Sequence, residues 1–474
     1  MSSRLTAPPR VAVVLPLSLT WQPVVANDLT DDRARLLARA TAALADGGLA
    51  LVEAALVGSE AEAAQAGARA AERDAEVALV LATMAVLASV PLAALDRMDG
   101  CPVVVWAIAQ GDPLDERADH ARIVLDGGTV GGPVLTSMLA RHGRPFEVIL
   151  GALDDDETLG RVERALRAGA AARRVARARV GRVGRSTPGY GCVDVDEAQL
   201  RAGVGTAVID IESHELTDAY RAVPDPRTRA IADEIRAAYA VDTALTDEDL
   251  ARAARAAAAL EALVEAHDLD AGALTCHVDG IRFGVDALGF APCFALGRMT
   301  SRGVPWCCSA DLPAALALLT LKALGAAAQY HELEALDPAA GDFLVASSGE
   351  HDLAFAGEPP RLRRNAWFPD DEYPSACACF AAPAGPATLL GFAQITDPTP
   401  GHRLVVASGT FADRGCAGAG TPNARFRFAH GNAADTWAAW CAAGVGLHAA
   451  ATPGEHAASL DLVGHFLGLK VVDV

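Results

Sequence analysis

The chain has no Cys-x-x-Cys pair among its ten cysteines, which stand at 101, 192, 276, 293, 307, 308, 377, 379, 416 and 441. Structural zinc frameworks place their ligands in two separated pairs, so this spacing argues against one. Unpaired buried thiols in a reducing cytosol are expected instead. Basic residues are also in the minority. Forty Lys and Arg face 60 Asp and Glu, a formal charge of −20, and such a surface repels nucleic acid and anionic membranes. No apolar run stays uninterrupted long enough to make a convincing membrane span, so a soluble, cytoplasmic protein is expected. Residues 184–191, GRSTPGYG, fit neither GxGxxG nor GxxxxGK[ST], which argues against a nucleotide site there. Ser347-Ser348, with Glu350 and His351 nearby, lacks the GxSxG setting of a hydrolase nucleophile. There is no internal repeat.

What the chain does have is apolar bulk. Hydrophobic residues make up 51% and charged residues 21%, and 474 residues are too many for one core, so two or three domains are expected. Arg4 and Arg10 precede an apolar run over 11–19, and Val24-Val25-Ala26 faintly resembles a cleavage site. Pro16 interrupts that run, so it reads as a first parallel strand rather than a signal peptide. Strands over 11–17, 49–57, 77–81, 103–108 and 146–150 alternate with helices over 31–47 and 60–74. Asp31 or Asp32 is the expected N-cap of the first helix, and Gly47-Gly48 its stop. Such βαβ alternation predicts a doubly wound parallel sheet.

A long helical stretch over 154–178 leads to a new strand at Val180, where a second α/β set begins. It comprises Ala207–Ile211, helices near 217–238 and over Asp247–His267, a strand over 273–277, and a helix over 311–324. Asp311 suits the N-cap of that last helix, and Pro313 its first turn. Beyond about residue 340 the texture changes to short strands over Asp342–Ala346, 387–395, 403–409 and 424–428, which suggests an antiparallel sheet or barrel. A helix over 455–467 and a strand over 470–474 follow. The expected domains are therefore 1–175, 176–328 and 329–474.

The residues that carry chemistry gather from distant segments. They are Trp306-Cys307-Cys308-Ser309-Ala310-Asp311, Tyr330-His331-Glu332-Leu333-Glu334, Ser347-Ser348-Gly349-Glu350-His351 and Gly446-Leu447-His448. Carboxylates and imidazoles from separate segments suit a Mn²⁺- or Mg²⁺-class ion, because hard cations take oxygen ligands and tolerate imidazole. The alternative for Glu332 and His448 is a pair of polar residues satisfied by hydrogen bonds.

Four landmarks fall in the order of a known family. Residues 10–17 (RVAVVLPL) resemble its opening strand, and 141–147 (RHGRPFE) its "RRGRPFE" step. Residues 180–197 (VGRVGRSTPGYGCVDVDE) resemble the loop opening its middle domain, and 442–456 (AAGVGLHAAATPGEH) its "AGGTHH…GDH". Over nearly its whole length the chain resembles the L-arabinose isomerase family, within the L-fucose/L-arabinose isomerase group. The resemblance implies two Rossmann-like α/β domains, a C-terminal β-barrel-like domain and a homo-oligomer, trimeric or hexameric. It also implies Mn²⁺, which grips two adjacent sugar oxygens while carboxylates move a proton through an enediol.

Carried over position by position, the family's metal shell is half present. Its "GEGD" turn falls on Cys308-Ser309-Ala310-Asp311, so Ser309 stands for the ligand Glu while the Asp is kept. The second ligand Glu matches Glu332. "HMGE" falls on Ser347-Ser348-Gly349-Glu350, so Ser347 stands for the ligand His; "HH" falls on Leu447-His448, which keeps the second His. The resemblance thus implies Glu332 and His448 as metal ligands, with Asp311, Glu332 and Glu350 as catalytic groups. Glu334, Glu350 and His351 are substitute donors; Cys307-Cys308 would favour a softer metal such as Zn²⁺, and Zn²⁺ or Co²⁺ is the alternative to the Mn²⁺ of the resemblance. The sugar-facing "NHGIHG" loop matches residues 126–131 without either histidine, and "GMGD" matches Gly189-Tyr190-Gly191-Cys192. Tyr190, Cys192, Trp306, Glu334 and His351 are the expected substrate shell.

Two functions follow from this reading. One is an aldose–ketose isomerase with an altered metal shell; the other is a non-catalytic sugar- or polyol-binding or regulatory homologue on the same scaffold.

Overall fold

Runs of Val, Leu, Ile and Ala unbroken by charge build the first sheet. β1 (Arg10–Pro16), β2 (Ala50–Val57), β3 (Val77–Ala82), β4 (Val103–Ala109) and β5 (Phe146–Ala152) pair in the order β2-β1-β3-β4-β5. Every pairing is parallel. The inner strands β1, β3 and β4 are buried almost end to end, as a sheet covered on both faces requires. This strand order is the flavodoxin-like form of the doubly wound sheet. The computed structural model describes residues 4–109, 116, 118–186, 189–275, 288–369, 371–396 and 400–474.

The first helix, Leu29–Asp46, is capped by Asp28, whose carboxylate accepts from the Thr30 and Asp31 amides at 2.8 and 3.1 Å. The expected caps Asp31 and Asp32 instead occupy its first turn, where negative charge suits the helix dipole. Among the described residues one apolar stretch, His120–Arg141, is long enough to cross a membrane by length and composition. It is two helices, His120–Leu125 and Gly128–Arg141. The second lies so close to the sheet that a Cβ on Gly128 would sit 2.7 Å from the carbonyl oxygens of Ala82 and Ile108. The residues matched to "NHGIHG" are thus where a helix starts against β3 and β4. Pro8–Arg174 with His465–Gly468 forms one compact unit.

The second compact unit comprises Val175–Gly464, Leu469–Val474 and the described residues up to Ala7. Its parallel sheet contains β6 (Arg179–Val183), β7 (Ala207–Ile211), β9 (Ala271–Leu274) and β10 (Trp306–Cys307), in the order β10-β9-β6-β7. β8 (Ala240–Val241) belongs to a small separate sheet with β13 (Arg361–Arg364) and β14 (Ala376–Cys379). β9 starts two residues before the expected strand, and Cys276 and His277 of that strand lie outside the described residues. The helical region near 217–238 is split into Ser213–Ala222 and Asp225–Ala238, with Pro224 at the break.

Seven strands form the third sheet: β11 (Gln329–Asp337), β12 (Asp342–Ala346), β15 (Gly385–Ile395), β16 (Gly401–Phe411), β17 (Asn423–Phe428), β18 (Ala449–Pro453) and β19 (Lys470–Asp473). Their order is β15-β18-β11-β12-β17-β16-β19, and β15 also pairs with β16, so the pairings from β15 to β16 form a circuit. All are antiparallel except β16 with β19. Helix Leu312–Ala323 (LPAALALLTLKA) is apolar on every side and buried at every residue. It packs against β9, β15 and β18, and its N-terminus carries Asp311.

Candidate functional site

Strand register explains the centre of the site. β11 and β18 pair antiparallel up to His331 opposite Ala449, and Glu332 and His448 are the next residues beyond that pair. Side chains alternate faces along a strand, so Tyr330 and Glu332 share a face. The Tyr330 ring lies over the His448 imidazole at 4.7 Å between centroids, inclined 33°. His448 Nε2 lies 3.1 Å from Glu332 Oε1, and Nδ1 lies 2.7 Å from Asp311 Oδ2. The other Asp311 oxygen caps the helix, accepting from the Ala314 amide at 2.7 Å. The cap therefore fixes the carboxylate that holds the imidazole.

This row is charged. Burial alone lowers the pKa of His448, but hydrogen bonds to Asp311 and Glu332 and their negative charge outweigh it, and the imidazole is pushed up to about 10. At neutral pH His448 is an imidazolium donating to two carboxylates.

Single polar atoms of three other side chains near the row are buried without a hydrogen bond. A β-bulge between Leu333 and Ala335 makes Glu334 the extra residue of β11. Its Oε1 is buried without a hydrogen bond, and burial together with the Glu332 charge pushes its carboxyl up to about 7. Glu350 is fully buried, with Oε2 accepting from the Ser348 hydroxyl at 3.2 Å and Oε1 unpartnered. Burial raises its pKa. The buried Tyr330 hydroxyl is also without a partner, and burial followed by the neighbouring thiols and carboxylates raises its pKa.

Ser309 and Ser347, set by the resemblance against missing ligands, and Leu447, set against a missing histidine, take on other roles. Ser309 and Ala310 have φ of 60° and 49°, a left-handed conformation that costs a side-chain-bearing residue energy. The Ser347 hydroxyl donates to the Glu350 carbonyl at 3.0 Å. Leu447 is exposed while its neighbour His448 is buried. The Cys307 thiol donates to the Asp311 carbonyl at 3.2 Å, and burial raises its pKa, so it is an inert core thiol. Five of the nine described cysteines are buried: 101, 293, 307, 308 and 377. Cys192 and Cys441 are exposed, unlike the buried thiols expected, and Cys276 lies outside the described residues.

The expected substrate shell divides. Glu334 stands beside the row. The exposed Cys192 reaches the same corner of the fold, since a Cβ on Gly446 would lie 3.1 Å from its carbonyl oxygen, and Tyr190 caps the short turn that contains it. Trp306 is fully buried, with its ring over Gly272 of β9. His351 belongs to an aromatic cluster: its Nε2 meets the Tyr239 hydroxyl at 2.7 Å, and its ring packs on Phe294. Burial pushes its pKa down to about 3. Tyr330 enters the sequence reading only as part of its segment, with no role, although its period-2 spacing from Glu332 marks it.

A metal-bound histidine offers a ring lone pair to the ion. While both His448 nitrogens are hydrogen-bonded to carboxylates, the imidazole has no lone pair free for Mn²⁺, Zn²⁺ or Co²⁺. Among the described residues no three His, Cys, Asp or Glu side chains gather as metal ligands would. No protein-family model matches this chain, and no curated protein matches it.

Proposed function

We propose that the chain is a sugar- or polyol-binding homologue on the scaffold of the L-arabinose/L-fucose isomerase group, in which a hydrogen-bonded row has replaced the Mn²⁺ shell. The two parallel sheets support that scaffold. The circuit of pairings from β15 to β16 supports a barrel-like third part. The observation that carries the reading is His448 held between Asp311 and Glu332. An imidazolium held by two carboxylates leaves the row one net negative charge, and Glu334, which stands beside it, has a half-buried carboxyl suited to hydroxyl groups. The reading includes a cytoplasmic, homo-oligomeric protein, trimer or hexamer, that binds neither nucleic acid nor membrane.

A second reading, an isomerase with an altered metal shell, is favoured by the unpartnered Oε1 atoms of Glu334 and Glu350. There Glu332 and His448 would hold the ion, with Asp311, Glu334 or Glu350 handling protons.

Calorimetric titration with L-arabinose, L-fucose and the matching polyols, with and without chelator, tests the first reading. Binding is expected to ignore the chelator and to weaken about tenfold or more in Glu332→Gln, the scale of a lost charged hydrogen bond. Titration with Mn²⁺, Co²⁺ and Zn²⁺ should show no tight site. Tight metal binding that disappears in Glu332→Ala, together with aldose conversion, would establish the second reading in its place.

A further inference from the structure

A cavity of about 450 Å³ lies in the second unit, between β13, the end of β14 and the loop after β16. Its volume falls within the roughly 300–1,000 Å³ range of small-molecule sites. Arg361, Arg363 and Arg414 all line it. On β13, Arg361 and Arg363 share a face by strand alternation, while Leu362 between them is fully buried on the other. Arg414 arrives from the loop that follows β16.

These guanidiniums differ from most of their kind in this chain. In a protein of net charge −20, arginines readily find carboxylates. Arg425 of β17 is held by Asp337 and Asp342, and Arg298 by Glu234 and Glu261. Among the described residues, Arg361, Arg363 and Arg414 make no ion pair or side-chain hydrogen bond. Two carboxylates also line the cavity. Glu358 is already engaged, accepting from the Ala381 amide at 3.0 Å, so Asp413 is left to face the space.

The frame is rigid. The Asn423 Oδ1 accepts from the Cys416 amide at 2.7 Å, tying the Arg414 loop to β17. Backbone bonds from Gly357 to the Ala381 carbonyl (2.8 Å) and from Asn423 to the Phe380 carbonyl (3.1 Å) join the remaining walls. Gly357 allows the close approach, since a Cβ there would lie 2.5 Å from the Pro383 nitrogen. Three exposed guanidinium forks line one space and can close on a phosphate group.

We propose that this cavity binds a phosphate-bearing small molecule, held by Arg361, Arg363 and Arg414, with Asp413 taking a hydroxyl of the same ligand. The proposal is independent of the His448 site.

The test is calorimetric titration of the full chain with inorganic phosphate and with ribose 5-phosphate, at ionic strength held constant with NaCl. One saturable site is expected. Affinity should fall about tenfold or more in Arg363→Gln and in Arg414→Gln, the scale of one charge-assisted hydrogen bond. Arg363→Lys should retain part of it, because an ammonium keeps the charge but loses the fork. Glu332→Gln should leave it unchanged. Tighter binding of ribose 5-phosphate identifies a phosphorylated sugar, and equal binding identifies phosphate itself. No saturable binding of either compound, or binding indifferent to both glutamine variants while thermal melting shows them folded, overturns the proposal.

Discussion

His448 takes two charges out of water with it. An imidazolium between Asp311 and Glu332 is stabilised as a set, because the buried Asp311 carboxylate facing an uncharged ring would be an unpaired buried charge, whereas Glu332 keeps some contact with water. The folded pKa of His448, about 10, lies above the ordinary 6.5, so its stabilisation is complete below about pH 6.5 and is lost as pH rises towards 10. Glu334, raised from 4.5 to about 7, contributes stability that is present below pH 4.5 and lost by about pH 7. Urea unfolding across this range should therefore show two declining limbs. Glu334→Gln should flatten the acidic one and His448→Gln the alkaline one. His448→Gln should also cost about 3–5 kcal/mol at neutral pH, the scale of breaking a buried pair. An unaltered alkaline slope in His448→Gln would rule out the charged row. Asp311 is legible in the sequence as an N-cap, and the roles expected of Asp311, Glu332 and His448 come from the positions of the resemblance. Their mutual bonds are not legible there, since 116 residues separate Glu332 from His448.

Elements set how exactly those side chains meet. β9 and β10 pair with Trp306 opposite Gly272, and the indole fills the space that a side chain on Gly272 would need. A Cβ there would lie 2.5 Å from the ring, in a sheet adjoining the helix that carries Asp311. Gly272→Ala should destabilise the protein by about 1–3 kcal/mol through overpacking, measured by denaturant unfolding. Trp306→Leu in the same chain should recover part of that loss, as two residues in contact are not additive. Full additivity would show that the two positions do not compete for space. Many element bounds were legible here, because apolar runs and caps are local signals: Ala207–Ile211, Asp247–His267 and Asp342–Ala346 occur as expected. The bulge at Glu334 was not, because it depends on what β12 places opposite.

At the scale of the molecule, each compact unit has a hydrophobic interior of its own. The cluster that includes Val14, Val80, Leu95 and Leu139 lies wholly within Pro8–Arg174. Chains with more than one such unit commonly depart from two-state unfolding. Differential scanning calorimetry should give a calorimetric enthalpy larger than the van't Hoff value. Gly67→Ala, which would press a Cβ to 2.2 Å from the Ala94 carbonyl, should shift the transition of the first unit, and Gly272→Ala that of the second. A single two-state transition moved equally by both variants would contradict this.

The sequence by itself determined the parallel α/β character of the first two sheets, the change to antiparallel strands near residue 340 and the identity of the polar residues at the site. Those depend on side-chain period, turn residues and caps, all of which act within a few positions along the chain. Only the tertiary structure decided that Asp311, His448 and Glu332 line up with both imidazole nitrogens occupied, that His351 joins Tyr239, and that three arginines share one cavity. Each of these is a contact between segments far apart in the chain, set by strand register and packing rather than by any local pattern.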